Sequence, residues 1–332
     1  MDFAIAAALL VGLVLAHEAG HFYAALLHGV PPKAFSLGFG PTLWRMERGG
    51  TRYQVGMFPL GGFVQFEPGD LESRPVATRL AVAGGGVAAQ IVLALLLMGA
   101  VYGAWGVPAG SAVTVTGVAP AGPAARAGVR AGERVLAIDG VPASGFAAVL
   151  PLLARADRAD RPVRLLLALP SGGVRRAVVP PEGHRMGIDL AAAAAWARNS
   201  SFVRREEAAA GAVAAFLQAE ARGLWALATG RASLGQVAGP IGLVRATSQA
   251  VVLGIPETLS WTALLSANLA LVNVLPVPGL DGGQVALLLL ERLRGRRLGA
   301  ALEAAVQGAG LALVLLFALV VTMHDVAVLI GG

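Results

Sequence analysis

Long apolar runs alternate with polar, glycine-rich stretches along this chain, and four of the runs are long enough to cross a bilayer. They cover Phe3 to about Leu27, Leu80–Val107, about Thr258 to Leu275, and Ala304–Met323. Each supplies the roughly 17–25 residues needed to cross a hydrocarbon core about 30 Å thick. After Asp2, the first run meets no charge until Glu18, and the second holds none at all. The first run lacks the basic start and the cleavage pattern of a secretory signal, so it reads as a retained helix.

Between the second and third runs the pattern changes. Ser111–Val118, Glu133–Asp139, Pro162–Leu169 and Val174–Val179 have strand character, separated by turn signals such as Asp139-Gly140 and Ser171-Gly172-Gly173. Ala119–Gly128 supplies turn and short-helix chemistry, and Gly145–Ala156 reads as a helix. From Arg198 to Thr247 an Ala-rich, partly charged stretch reads as amphipathic helix at the membrane surface. The chain therefore divides into a first membrane half (1–107), a β-rich domain (108–195), an amphipathic linker (196–248) and a second membrane half (249–332). The fold class is a polytopic α-helical membrane protein of four spans with an inserted β-rich domain.

Composition agrees with this. Hydrophobic residues make up 56% of the chain and charged residues only 14%, against about a quarter charged in soluble domains. Lys33, Arg45, Arg48, Arg52, Arg74 and Arg79 fall between the first two spans, and Arg292, Arg294, Arg296 and Arg297 between the last two. Short basic loops stay in the cytoplasm, which places the β-rich domain and both termini outside. The net charge of +6 suits an anionic membrane face and requires no nucleic-acid partner. With no cysteine in the chain, disulfides and thiolate ligands are excluded.

The chemistry is concentrated in His17-Glu18-Ala19-Gly20-His21. Residues four apart share a helix face, so both imidazoles reach one tetrahedral zinc ion. Glu18 stands beside them, placed to take a proton from the attacking water and return it to the leaving amine. Ionisable groups inside an apolar span are costly without partners, which makes a functional site the default reading. The alternative is a pair of histidines satisfied by hydrogen bonds between helices. A catalytic zinc site needs a third protein ligand. Leu27 and Ala24 stand where soluble metzincins place their third histidine and glycine, and His28 is one residue out of register. Asp281 is the best remaining ligand. It follows two prolines and a glycine in Pro276-Val277-Pro278-Gly279-Leu280-Asp281-Gly282-Gly283, a broken backbone tolerated at membrane depth only where protein or a wet cavity surrounds it. The alternative is a cytoplasmic turn with a solvated Asp281.

Together, His17–His21, Leu280-Asp281-Gly282-Gly283 and the inserted β-rich domain resemble the site-2 proteases, most closely the group of the bacterial regulator of sigma-E protease. The resemblance extends to Gly38–Trp44, Pro59–Val64, Gly239-Pro240-Ile241-Gly242, and Asn268 with Asn273. Ala121–Gly140 resembles the core of bacterial PDZ domains, which bind extended peptides by strand addition, with Glu133 where Asp is commoner. The resemblance implies that His17, His21 and Asp281 bind Zn²⁺ and that Glu18 is the general base. It also implies that Asn268 and Asn273 hold substrate backbone or the oxyanion. Thr51–Phe66, carrying Gly61 and Gly62, resembles the family's membrane-dipping β-loop, whose edge would pair with an unwound substrate. The implied substrates are single-pass membrane proteins, such as an anti-sigma factor or signal-peptide remnants, and the implied location is a bacterial inner membrane with the active site towards the cytoplasm. The second span departs from the family in having Ala89-Gln90 where an Asn is usual, which leaves Gln90 as the candidate substitute for a substrate contact there. A metal transporter and an inactive membrane adaptor are the rival classes. The first has no need of Glu18 or of an outer domain, and the intact Glu18 argues against the second.

Overall fold

A computed structural model describes residues 2–143, 149, 152, 161–180, 187–197, 200–231 and 239–331. The chain starts with helix α1 (Asp2–Leu27) and a hairpin of β1 (Ala34–Arg48) and β2 (Thr51–Gln65). The short helices α2 (Asp70–Ser73) and α3 (Val76–Ala83) then lead into α4 (Gly85–Trp105). The β-rich unit comprises β3 (Val107–Val118), α5 (Pro123–Arg126), β4 (Arg134–Ile138), β5 (Val141–Pro142), β6 (Val163–Ala168), β7 (Val174–Val179) and β8 (Ile188–Ala197). Helices α6 (Phe202–Ala228), α7 (Pro240–Leu253), α8 (Ile255–Val274), α9 (Asp281–Arg294) and α10 (Ala300–Gly331) complete it. The helix expected at Gly145–Ala156 lies almost wholly outside the described residues.

Among the described residues, three helices are long and apolar enough to cross a membrane: Phe3–Leu27, Gly85–Trp105 and Ala301–Ala327. The third expected span coincides with α8, a 20-residue helix, which is not among the helices apolar enough to cross. Glu257, Thr258, Ser260, Thr262, Ser266, Asn268 and Asn273 dilute it. Some of these polar groups are nonetheless buried or bonded within the protein. Thr262 and Ser266 are buried, and the Trp261 indole donates to the Thr247 hydroxyl on α7 at 3.0 Å. The second expected span also differs. It breaks at Gly84, between α3 and α4, and the break leaves the Val82 carbonyl available to a partner outside its own helix.

Small residues let α1 and α4 touch along their backbones, a common solution where apolar packing alone cannot drive association. A Cβ on Gly20 would overlap Ala89, and one on Gly85 would fall 2.6 Å from the Gly20 carbonyl oxygen. Next to this contact Gln90 is fully buried. Its amide donates to the Leu13 carbonyl of α1 at 2.7 Å, and its side-chain oxygen, like its backbone carbonyl, accepts from the Ser266 hydroxyl of α8. One side chain therefore ties three helices together, which leaves its amide no role as a substitute substrate contact. The amphipathic linker helix α6 packs Ala209 and Val213 into a cluster with Ala94, Met98 and Val101 of α4 and Ala263 and Ala267 of α8.

The β-rich unit is a six-stranded antiparallel sheet in the order β7-β6-β4-β3-β8, with β5 on β4. Its core is Val113, Val115, Val135, Ile138, Leu165, Leu167, Ala177 and Val179. Glu133, almost fully buried, accepts from Arg175 of β7 at 2.7 and 2.9 Å and from the Arg130 amide at 3.1 Å. That locks the turn before β4 onto the far strand. β8 runs through Ala191–Ala195 to Ala197, just past the expected boundary at 195, and pairs with β3 from Val107↔Ala197 to Val118↔Ile188.

Candidate metal centre

His17, Glu18 and His21 lie on α1, and Asp281 is the first residue of α9. The glycines after Asp281 allow that helix to start hard against the end of α8. A Cβ on Gly282 would overlap the Val274 and Leu275 carbonyls, and one on Gly283 the Val277 carbonyl. Gly279 adopts φ +90° and donates its amide to the Gln307 side chain of α10. Asp281 thus stands at a helix N-terminus, where the peptide dipoles favour a carboxylate.

The three expected ligands converge. His17 Nε2 lies 3.2 Å from His21 Nε2, and Asp281 Oδ2 lies 3.3 Å from the first and 3.4 Å from the second. Donors at 2.0–2.1 Å from a tetrahedral zinc stand about 3.3 Å apart, so the triangle already has the size the ion requires. Asp281 Oδ2 is buried without a hydrogen-bond partner, an orphan that a cation satisfies. His21 Nδ1 lies 2.8 Å from the Val82 carbonyl, so donation to it leaves Nε2 with its lone pair free for metal. Among the described residues, no other set of three His, Asp or Glu side chains gathers this way. His28 instead turns back to its own helix, with Nδ1 2.8 Å from the Ala24 carbonyl. His184 lies outside the described residues.

Glu18 faces the β1–β2 hairpin. A Cβ on Gly62 would stand 2.7 Å from Glu18 Cγ, so the strand carrying Gly61 and Gly62 passes directly beside the carboxylate. The hairpin is a curled sheet rather than a simple ribbon. Ala34–Leu37 pairs with Arg52–Val55 on one side and with Gly62–Gln65 on the other. Among the described residues, Gly62–Gln65 therefore has one ladder filled and the other edge open. Asn268 and Asn273 are both half-buried on α8, and among the described residues neither side chain makes a hydrogen bond.

Two contributors escape sequence reasoning. Gly86 faces both imidazoles so closely that a Cβ there would overlap His21 Nε2 and stand 2.5 Å from His17 Cε1. The Val82 carbonyl is the other. The only sequence signal for either is Gly84-Gly85-Gly86 inside an apolar run.

The sequence profile of Peptidase family M50 matches residues 5–317. The chain belongs to that family, the site-2 proteases. A Nostoc protein named "Putative zinc metalloprotease all3971" is 32% identical over 340 residues, covering 95% of this chain and 93% of its own. A Rhizobium meliloti protein of the same descriptive name, R01501, is 32% identical over 362 residues, covering 97% and 96%. The Arabidopsis thaliana "Membrane metalloprotease ARASP, chloroplastic" is 28% identical over 357 residues, covering 96% of this chain and 77% of its own. This M50 chain is a membrane zinc metalloprotease, and its cofactor is Zn²⁺.

Proposed function

We infer that this peptidase hydrolyses a peptide bond in or beside the transmembrane segment of a single-pass membrane protein. His17, His21 and Asp281 hold the zinc, and Glu18 handles the proton. The observation that carries this reading is the zinc-sized donor triangle with Glu18 set between it and an open strand edge. Zinc, when bound, acidifies water and polarises a carbonyl. Glu18 takes a proton from the attacking water and delivers it to the departing amine. A helical substrate presents no free carbonyl, so it has to unwind. The Gly61-Gly62 edge offers an unwound segment a ladder of backbone hydrogen bonds, and the unpaired amides of Asn268 and Asn273 are free to steady its backbone or the oxyanion. A metal transporter would use the same ligands but has no use for that edge.

The reading includes four spans, with α8 the shielded one, and the domain divisions at 107, 195 and 248. It places the β-rich unit, PDZ-like by its Ala121–Gly140 motif, outside a bacterial inner membrane. The zinc site then faces the cytoplasm. An anti-sigma factor or a signal-peptide remnant fits as substrate. The β-rich unit contributes no residue to the triangle, so its part is access rather than hydrolysis.

Cysteines introduced singly at Arg48, Arg294 and Ser171 test the topology in this cysteine-free chain. An impermeant thiol reagent added to intact cells should label Ser171→Cys and spare the other two until the membrane is opened. Labelling of Arg48→Cys but not Arg294→Cys in intact cells would contradict the arrangement, because the two halves of the metal site would then start from opposite faces. The activity itself is tested by cleavage of a single-pass substrate in proteoliposomes, comparing the parent with Glu18→Gln.

A further inference from the structure

Away from the ligands, one pair of charges among the described residues is buried almost completely. Arg79 of α3 and Glu291 of α9 are 7% and 8% exposed, and Arg79 Nη1 donates to both carboxylate oxygens at 2.8 and 2.9 Å. Arg297 adds a second, more distant cation, with Nε 3.6 Å from Glu291 Oε1. Neither Arg79 nor Glu291 touches the metal triangle, and the reaction described above gives them no task.

Their place in the fold gives them one. Arg79 precedes Val82 by about one turn on α3, and the Val82 carbonyl orients His21. Glu291 lies ten residues after Asp281 on α9, about 15 Å along the helix axis. The helix that supplies the third ligand and the helix that orients the second are therefore joined twice, once at the metal site and once at the ion pair. A single attachment at Asp281 would let α9 slide or rotate about it. A second one far along the axis fixes both. We propose that Arg79 and Glu291 are positioning residues, a clamp that holds Asp281 and His21 at zinc-binding separation.

The energetics favour such a role over simple stabilisation. Desolvating two charges costs several kcal/mol per ion, and well-packed apolar residues are often as stabilising in their place. What an apolar pair cannot reproduce is a directional, charge-assisted attachment of one nitrogen to both carboxylate oxygens. The separation of 212 residues between the partners makes this a long-range lock between the two membrane halves.

The inference rests on the metal assignment above, and the test keeps the two apart. Zinc affinity is measured by chelator competition on purified full-length protein, alongside the unfolding temperature. The variants are Arg79→Lys, Arg79→Met, Glu291→Met and the double Arg79→Met/Glu291→Met. Each single Met variant should lose zinc affinity by about 10- to 100-fold, the range of outer-shell partners, with some loss of thermal stability. The double variant removes the orphaned charge and should regain the unfolding temperature while zinc affinity stays low. Arg79→Lys keeps the charge without the planar guanidinium that aims it and should fall between. The clamp is overturned if the double variant binds zinc as tightly as the parent, or if the single variants unfold earlier with unchanged affinity. A parent whose zinc survives loss of His17 and His21 would instead overturn the metal assignment, and this inference with it.

Discussion

Glu18→Gln should leave the zinc bound and lower peptide-bond cleavage by about 10²- to 10⁴-fold, the span of general acid–base catalysis. Glutamine keeps the size and one hydrogen-bonding oxygen of the carboxylate but accepts no proton at neutral pH. The position tolerates the exchange sterically because the neighbour is Gly62, whose missing side chain leaves room for Glu18 Cγ. None of the three donor atoms belongs to residue 18, so metal content is a built-in control. Cleavage of a single-pass substrate in proteoliposomes, with zinc measured on the same preparation, reads both quantities. Parent-level cleavage by a zinc-loaded Glu18→Gln protein would remove Glu18 from the reaction.

Gly86→Val should strip the site of its metal without touching a ligand. The added Cβ falls against His21 Nε2 and within 2.5 and 2.8 Å of His17 Cε1 and Nδ1, closer than packed atoms permit. Helix α4 cannot back away cheaply, because Gly85 lies against the α1 backbone at Gly20 and Gln90 holds the Leu13 carbonyl. The imidazoles must rotate instead, and zinc affinity should drop by more than about 100-fold, beyond the usual outer-shell effect. Gly12→Val is the control on α1, since a Cβ there meets nothing within 4 Å. Equal zinc affinity in the Gly86 and Gly12 variants would show that the close approach has no consequence.

Much of this site is readable along the chain because its determinants are local. His17 and His21 share a face by helical spacing, and the broken run before Asp281 announces an irregular backbone without reference to anything distant. Strands β6 and β7 likewise follow from alternation between glycine-rich turns. What escapes is whatever depends on a remote partner. Ala191–Ala195 has the highest helix propensity of any residue type, yet it forms strand because β3 offers a ten-residue ladder. Gln90 looks like a polar group available to substrate, and only the positions of Leu13 and Ser266 show that it is committed. Gly84 breaks the second span where hydropathy runs on unbroken, and the freed Val82 carbonyl makes sense only once His21 is beside it. Helix α8 reads as a span from its length, and only the structure shows Thr262 and Ser266 within it buried against other helices. Arg79 and Glu291 read as ordinary loop and helix-end charges until the fold brings them together.

The central claim is that His17, His21 and Asp281 jointly hold one zinc ion, and zinc stoichiometry of the purified full-length chain tests it most directly. The parent should carry one zinc per chain. A protein with both His17→Ala and His21→Ala should carry almost none while keeping its helix content, and Asp281→Ala should bind zinc far more weakly than the parent, with three donors reduced to two. Full zinc occupancy in the His17→Ala/His21→Ala protein would contradict the account at its foundation.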